Sequence, residues 1–150
     1  MNAIAPLISP ASIIADQTFS SKKKLFEHAA GLFEGLKGLK RQEVFDSLFE
    51  RERLGSTALG YGVAIPHGRI KSLADAAGAF YRIEPPLEFD SPDGLPITLC
   101  FILLVPQHAN EQHLQILGEL AQMLGDGAMR ERLLAAEAAD LFELLSTWTP

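Results

Sequence analysis

From Leu25 onward, apolar residues recur at helical spacing: Leu25, Phe26, Ala29, Leu32, Phe33 and Leu36 form one stripe. The stripe predicts a helix that Ser20 or Ser21 caps and that runs to about residue 37, where Gly38 breaks it. Val44, Phe45, Leu48 and Phe49 continue the period and predict a second helix over about 40–53, with those four residues buried. The rhythm then changes. Residues 55–62, with three glycines, read as loop and short-strand material, and Val63-Ala64-Ile65 as a brief buried strand ending at Pro66-His67-Gly68. Residues 76–83 form a second strand candidate, which Pro85-Pro86 should stop. Residues 90–94 read as a turn, and 97–105, apolar except for Thr98, as the strongest strand. After a loop over 107–110, Asn110 caps a helix reaching about residue 124, which Gly125 and Gly127 end; two short helical pieces follow near 128–136 and 139–146. Residues 1–19 are expected to form an extended lead-in whose Ile4, Leu7, Ile8, Ile13 and Ile14 pack against the rest.

Helices thus alternate with apolar strands, which argues for an α/β fold with helices on both faces of a partly parallel sheet. A chain of 150 residues with no internal repeat, low-complexity tract or long linker reads as one domain, residues 1–150. Apolar residues at 47% and charged residues at 21% fit a globular protein. The formal charge of −6, with Lys22-Lys23-Lys24 as the one basic run, speaks against nucleic-acid binding. The run at 97–105 is far shorter than the ~20 residues a membrane span needs. No Lys or Arg precedes Lys22 and Pro6 and Pro10 interrupt the leading apolar stretch, so a secretory signal is not expected and the cytoplasm is. The single cysteine, Cys100, excludes an internal disulfide and reads as an inert core thiol.

Chemistry narrows to the histidines. His28 lies within the first helix and His108 in a loop, and neither has neighbours that specify a reaction. His67 stands between Pro66, which fixes the backbone before it, and Gly68, which leaves the approach to the ring and a backbone N–H open. In open α/β sheets ligands gather outside the carboxyl ends of strands. Neutral imidazole is a nucleophile, and attack on a phosphoryl group would give a phosphohistidine able to pass the group on. The dianion would need donors: Arg51, the hydroxyls of Ser56 and Thr57, and backbone N–H groups of the glycine-rich stretch. Arg51 reads equally well as a solvated charge at a helix end. His113, three residues after Asn110, sits in a helix's first turn, where it can donate to a phosphoryl oxygen or simply face water. No zinc-ligand spacing, phosphate loop, dinucleotide fingerprint or nucleophile elbow occurs, so no metal or cofactor is expected.

The blocks Arg51-Glu52-Arg53-Leu54-Gly55-Ser56-Thr57 and Gly60-Tyr61-Gly62-Val63-Ala64-Ile65-Pro66-His67-Gly68 resemble the signature of the type-2 IIA domain. These are the fructose/mannitol-type components of the bacterial phosphoenolpyruvate-dependent phosphotransferase system. The residues at 83–90, the strand end Leu103-Leu104-Val105-Pro106 and His113-Leu114 match as well, and the resemblance spans about 12–146, most similar to the nitrogen-related branch. It implies a mixed, mainly parallel sheet between helices. It further implies that His67 accepts a phosphoryl group on Nε2 from a histidine-containing carrier protein, with Arg51 and His113 flanking it. In that branch the phosphoryl chain ends at this protein, a stoichiometric carrier whose state controls partners such as potassium transporters and sensor kinases. The residues at 69–75 and those after 136 are the least characteristic. Two rival readings stand beside this one: a IIA subunit that forwards the phosphoryl group to the IIB domain of a sugar permease, and a binding module never phosphorylated at His67.

Overall fold

Ser21 and Gly38 bracket the first helix. In the computed structural model, which describes residues 2–108 and 110–150, Ser21 Oγ accepts the Lys24 amide at 3.1 Å. Gly38 ends α1 (Lys22–Lys37) in the left-handed region, φ 67°, where a side chain would be strained. α1 buries Leu25, Phe26, Ala29, Ala30 and Phe33, and α2 (Arg41–Arg53) packs beside it. In α2 the buried line is Val44, Leu48 and Glu52. Phe45 is only half-buried and Phe49 is exposed, contrary to the expectation that both enter the core. They lie one position, about 100°, around the helix from Val44 and Leu48, and their rings stack on each other at 5.6 Å.

Among the described residues six strands make one sheet: β1 (Ile13–Gln17), β2 (Ala58–Gly60), β3 (Val63–Ala64), β4 (His67–Ile70), β5 (Ala77–Leu87) and β6 (Ile97–Pro106). The order is β1-β5-β6-β3-β2, with β4 also on β6. β1/β5, β3/β6 and β4/β6 are parallel; β2/β3 and the long β5/β6 ladder are antiparallel. Along β6, Cys100, Ile102 and Leu104 face a core shared with α1 and α2. Phe101, Leu103 and Val105 face a second core, formed with the first residues of the chain and with α3 (Glu111–Gly125), α4 (Gly127–Ala135) and α5 (Leu141–Thr147). Burial on both faces explains why β6 reads as a continuous apolar run. Among the described residues no helix is long and apolar enough to cross a membrane.

Three expectations need correction. The first residues are not merely an extended lead-in: 3₁₀ turns at Ala5–Leu7 and Pro10–Ser12 precede β1, which pairs with β5. β5 does not stop before Pro85-Pro86 but continues to Leu87. Its ladder with β6 passes from Arg82–Leu99 to Leu87–Ile97, so the prolines occupy an irregularity where no N–H has to pair. Finally, His67 does more than follow the short strand β3, which ends at Ala64. It begins β4, opposite Leu103, and β3 and β4 lie in line along β6 on either side of Ile65-Pro66.

One ion pair ties the layers together. Arg82, buried on β5, donates through Nε and Nη2 to the two Asp16 carboxylate oxygens, each at 2.8 Å. Its Nη1 also donates to the Leu133 and Ala136 carbonyls at the end of α4, at 2.9 and 2.6 Å.

Candidate functional site

Alternation along β4 sorts its side chains. Gly68 and Ile70 are buried and turn toward α2, whereas His67 is half-buried and Arg69 exposed. Gly68 therefore does not leave open the approach to the imidazole. A Cβ there would collide with the Ser47 side chain and lie 3.2 Å from the Ser47 carbonyl carbon, so the missing side chain lets α2 approach β4. Ser47 Oγ donates to the Arg69 carbonyl at 2.9 Å, which fixes the strand from the same side.

The backbone entering β4 also orients the ring. Pro66, its carbonyl accepting the Leu103 amide at 2.9 Å, holds the chain against β6. His67 Nδ1 lies 2.8 Å from the Ile65 carbonyl. A carbonyl oxygen only accepts, so Nδ1 carries the proton, and in the neutral ring Nε2 carries the lone pair.

His113 has the opposite arrangement. Asn110 caps α3, its Oδ1 accepting the Gln112 amide at 3.0 Å, while His113 Nδ1 accepts the Asn110 amide at 3.1 Å. An accepting Nδ1 leaves the neutral ring protonated at Nε2. Both histidines line one cleft of about 290 Å³, with Arg69, Asn110 and Glu111 as its other polar residues and Leu103, Val105, Leu114 and Leu117 as its apolar surface. One side of the cleft thus offers a nucleophilic nitrogen and the other a ring N–H donor at a helix start. That is an arrangement for an electrophile carrying anionic oxygens.

The remaining candidates do not line this cleft. Arg51, in the last turn of α2, donates through Nη1 to the Gly55 carbonyl at 2.9 Å. Ser56 and Thr57, read as phosphate donors, direct their hydroxyl protons elsewhere. Ser56 Oγ donates to the Phe89 carbonyl at 3.0 Å, and Thr57 Oγ1 to the buried Glu52 carboxylate at 2.6 Å. That carboxylate also accepts the Thr57 amide and pairs with Lys22 Nζ at 3.0 Å, so Glu52 organises the loop after α2. Arg69 and Glu111 belong to the cleft but escaped the sequence reading. The two-residue step from His67 along a strand was a signal that could have found Arg69.

The other titratable residues serve the fold. His28 Nδ1 lies 2.7 Å from the Tyr81 hydroxyl, its ring edge-on to Phe19 and Tyr81. Burial lowers the His28 pKa and raises that of Tyr81, so the neutral ring accepts the hydroxyl proton. Cys100 is fully buried, and burial together with the nearby Glu52 charge keeps it a thiol. His108 is exposed in the turn before α3. A larger cleft of about 400 Å³ between α1 and α2 is walled by Lys23, Glu27, Arg41 and Gln42, but Arg41 is paired with Glu34 at 2.9 Å.

Comparison with known proteins identifies the family and its fold. A family model described as phosphoenolpyruvate-dependent sugar phosphotransferase system, EIIA 2, matches residues 6–148. The chain is 39% identical over 136 residues to a nitrogen regulatory protein of Bradyrhizobium diazoefficiens, covering 91% of this chain and 89% of that one. It is 39% identical over 98 residues to a fructose-specific EIIA component of Haloferax volcanii, covering 65% and 64% respectively. The crystal structure of nitrogen regulatory protein IIA-Ntr from Neisseria meningitidis superposes with a TM-score of 0.91 at 43% identity, covering 96% of this chain and 99% of that one.

Proposed function

Because the chain belongs to the EIIA type-2 family of the phosphoenolpyruvate-dependent phosphotransferase system, we propose that it is a cytoplasmic nitrogen-regulatory phosphocarrier whose His67 is the phosphoryl acceptor. A histidine-containing carrier protein delivers the group to Nε2. The charge gained there then alters how regulatory targets engage the surface around the cleft. The observation that carries this reading is the pair of complementary tautomers across one cleft: a free Nε2 lone pair on His67 and an Nε2–H on His113.

Transfer of this kind needs little covalent help, because the phosphoryl transition state is loose and catalysis is positioning plus charge. The Ile65 carbonyl holds the His67 ring in orientation. His113 donates to a phosphoryl oxygen. Arg51 is the second flanking group of the proposal: Nη1 is tied to the Gly55 carbonyl, and the guanidinium has further N–H donors to offer. Ser56 and Thr57 act by holding the loop behind it.

The reading is tested by mixing the purified protein with the carrier phosphorylated from phosphoenolpyruvate and measuring intact mass under mildly alkaline conditions. One phosphoryl group on the peptide containing His67 is expected; an unmodified protein defeats the proposal and leaves a binding module. The identity to a fructose-specific component favours a second reading, a IIA subunit that forwards the group in sugar transport. Adding fructose- and mannitol-type IIB domains separates the two, since rapid loss of the His67 phosphate supports transport and persistence supports regulation.

A further inference from the structure

His67 and Arg69 stand two residues apart on β4 and therefore project from the same face, while Gly68 and Ile70 pack toward α2. Both line the cleft that His113 closes from α3. Arg69 Nη1 donates to the Gln107 carbonyl at 3.1 Å, in the turn between β6 and α3, and this contact moors the guanidinium on the cleft's rim. Its side chain makes no other hydrogen bond among the described residues, so further N–H donors remain for a ligand.

The charge of the cleft gives this position its meaning. With both histidines neutral, the formally charged residues lining it are Arg69 and Glu111, which balance. Remove Arg69 and the incoming group, carrying about −1.5 to −2 charges if phosphoserine is the guide, meets a cleft whose remaining formal charge is a carboxylate. Arg51 does not line this space.

We propose that Arg69 is a further residue of the phosphoryl-transfer site, its guanidinium binding the phosphoryl oxygens during transfer to His67 Nε2 and afterwards. This rests on His67 being the acceptor. In the transfer the donor's N–P bond breaks, its electron pair returning to the donor ring, and the Nε2 lone pair of His67 forms the new N–P bond. The unit moved is PO₃⁻. Each ring keeps the proton on its other nitrogen, so no proton changes hands. A planar guanidinium suits two of the three oxygens at once.

The experiment compares wild type with Arg69→Ala and Arg69→Lys, each phosphorylated by the carrier. It measures the transfer rate and, by ³¹P NMR titration, the second pKa of the phosphoryl group on His67. We expect Arg69→Ala to transfer about tenfold more slowly, a charge-assisted hydrogen bond being lost, and to raise the phosphoryl pKa because the neighbouring cation is gone. Arg69→Lys should restore the pKa and part of the rate. An unchanged phosphoryl pKa in Arg69→Ala overturns the inference whatever the rate does, since Arg69 would then touch the carrier rather than the phosphoryl group. A wild-type protein that takes no label instead defeats the acceptor reading beneath it, so the two failures are distinguishable.

Discussion

The Ile65 carbonyl lies 2.8 Å from Nδ1 of His67, two residues further along the chain. This contact decides which ring nitrogen can react, because the nitrogen that donates to a carbonyl has no lone pair in the ring plane. The ring is aimed by the backbone two residues earlier, with no second side chain needed to set the tautomer.

The first prediction follows directly. His67→Ala abolishes labelling by the phosphorylated carrier and leaves the fold intact. In wild type, ¹⁵N NMR finds the new N–P bond at Nε2. A label at Nδ1, or full labelling of His67→Ala, refutes the assignment.

His113 has two tasks that separate by substitution. His113→Ala slows transfer by roughly 10–100-fold through loss of the Nε2–H donor. It also costs about 1 kcal/mol by leaving the Asn110 amide without its partner. His113→Glu, a favoured capping-box residue at this position, restores the thermal midpoint but places a carboxylate where a dianion must sit, and transfer falls below that of the alanine variant. Transfer at the wild-type rate in both variants removes His113 from the mechanism.

Gly68→Ala destabilises by about 1–3 kcal/mol, because the added methyl meets the Ser47 side chain and the carbonyl carbon of Ser47 stands 3.2 Å away. Adding Ser47→Ala recovers only part of this, since the backbone of α2 remains in place. Urea denaturation midpoints decide the point, and a Gly68→Ala variant as stable as wild type contradicts the packing described here.

The Asp16–Arg82 pair predicts a pH dependence. Hydrogen bonds from Arg82 hold the Asp16 carboxyl below its ordinary range; desolvation opposes them and the charge of Arg82 adds to the lowering. The unfolded chain, where aspartate titrates near about 3.9, therefore takes up the proton first. The stabilisation is complete above that pH and is lost as pH falls through it toward the folded value. Asp16→Asn is thus less stable than wild type at pH 7, and the gap narrows in acid. A gap as wide at about pH 3 as at pH 7 rules the linkage out.

Where local pattern and tertiary demand coincide, the sequence was readable. Ser21, Gly38 and Asn110 act at the helix ends where their chemistry places them, and the doubly buried β6 stands out as unbroken apolar residues. β1 was hidden because Ile13-Ile14-Ala15-Asp16-Gln17 does not alternate and pairs with a strand far along the chain. Phe45 and Phe49 were misplaced because a helical stripe does not announce which of its edges faces inward. His67 and His113 could be singled out from their neighbours, but their tautomers depend on the Ile65 carbonyl and the Asn110 amide, which only folding supplies. Ser56 and Thr57 looked available because nothing in the sequence reveals that Glu52 turns inward to hold the loop they occupy.

β4 carries His67 on a strand clamped between β6 and α2, opposite Leu103. A group added to a ring mounted so firmly has no soft backbone to push. If His67 is the acceptor, a partner docking on this face is expected to distinguish the two forms chiefly by the charge at the surface. Its recognition should weaken with ionic strength, as befits a message written in charge.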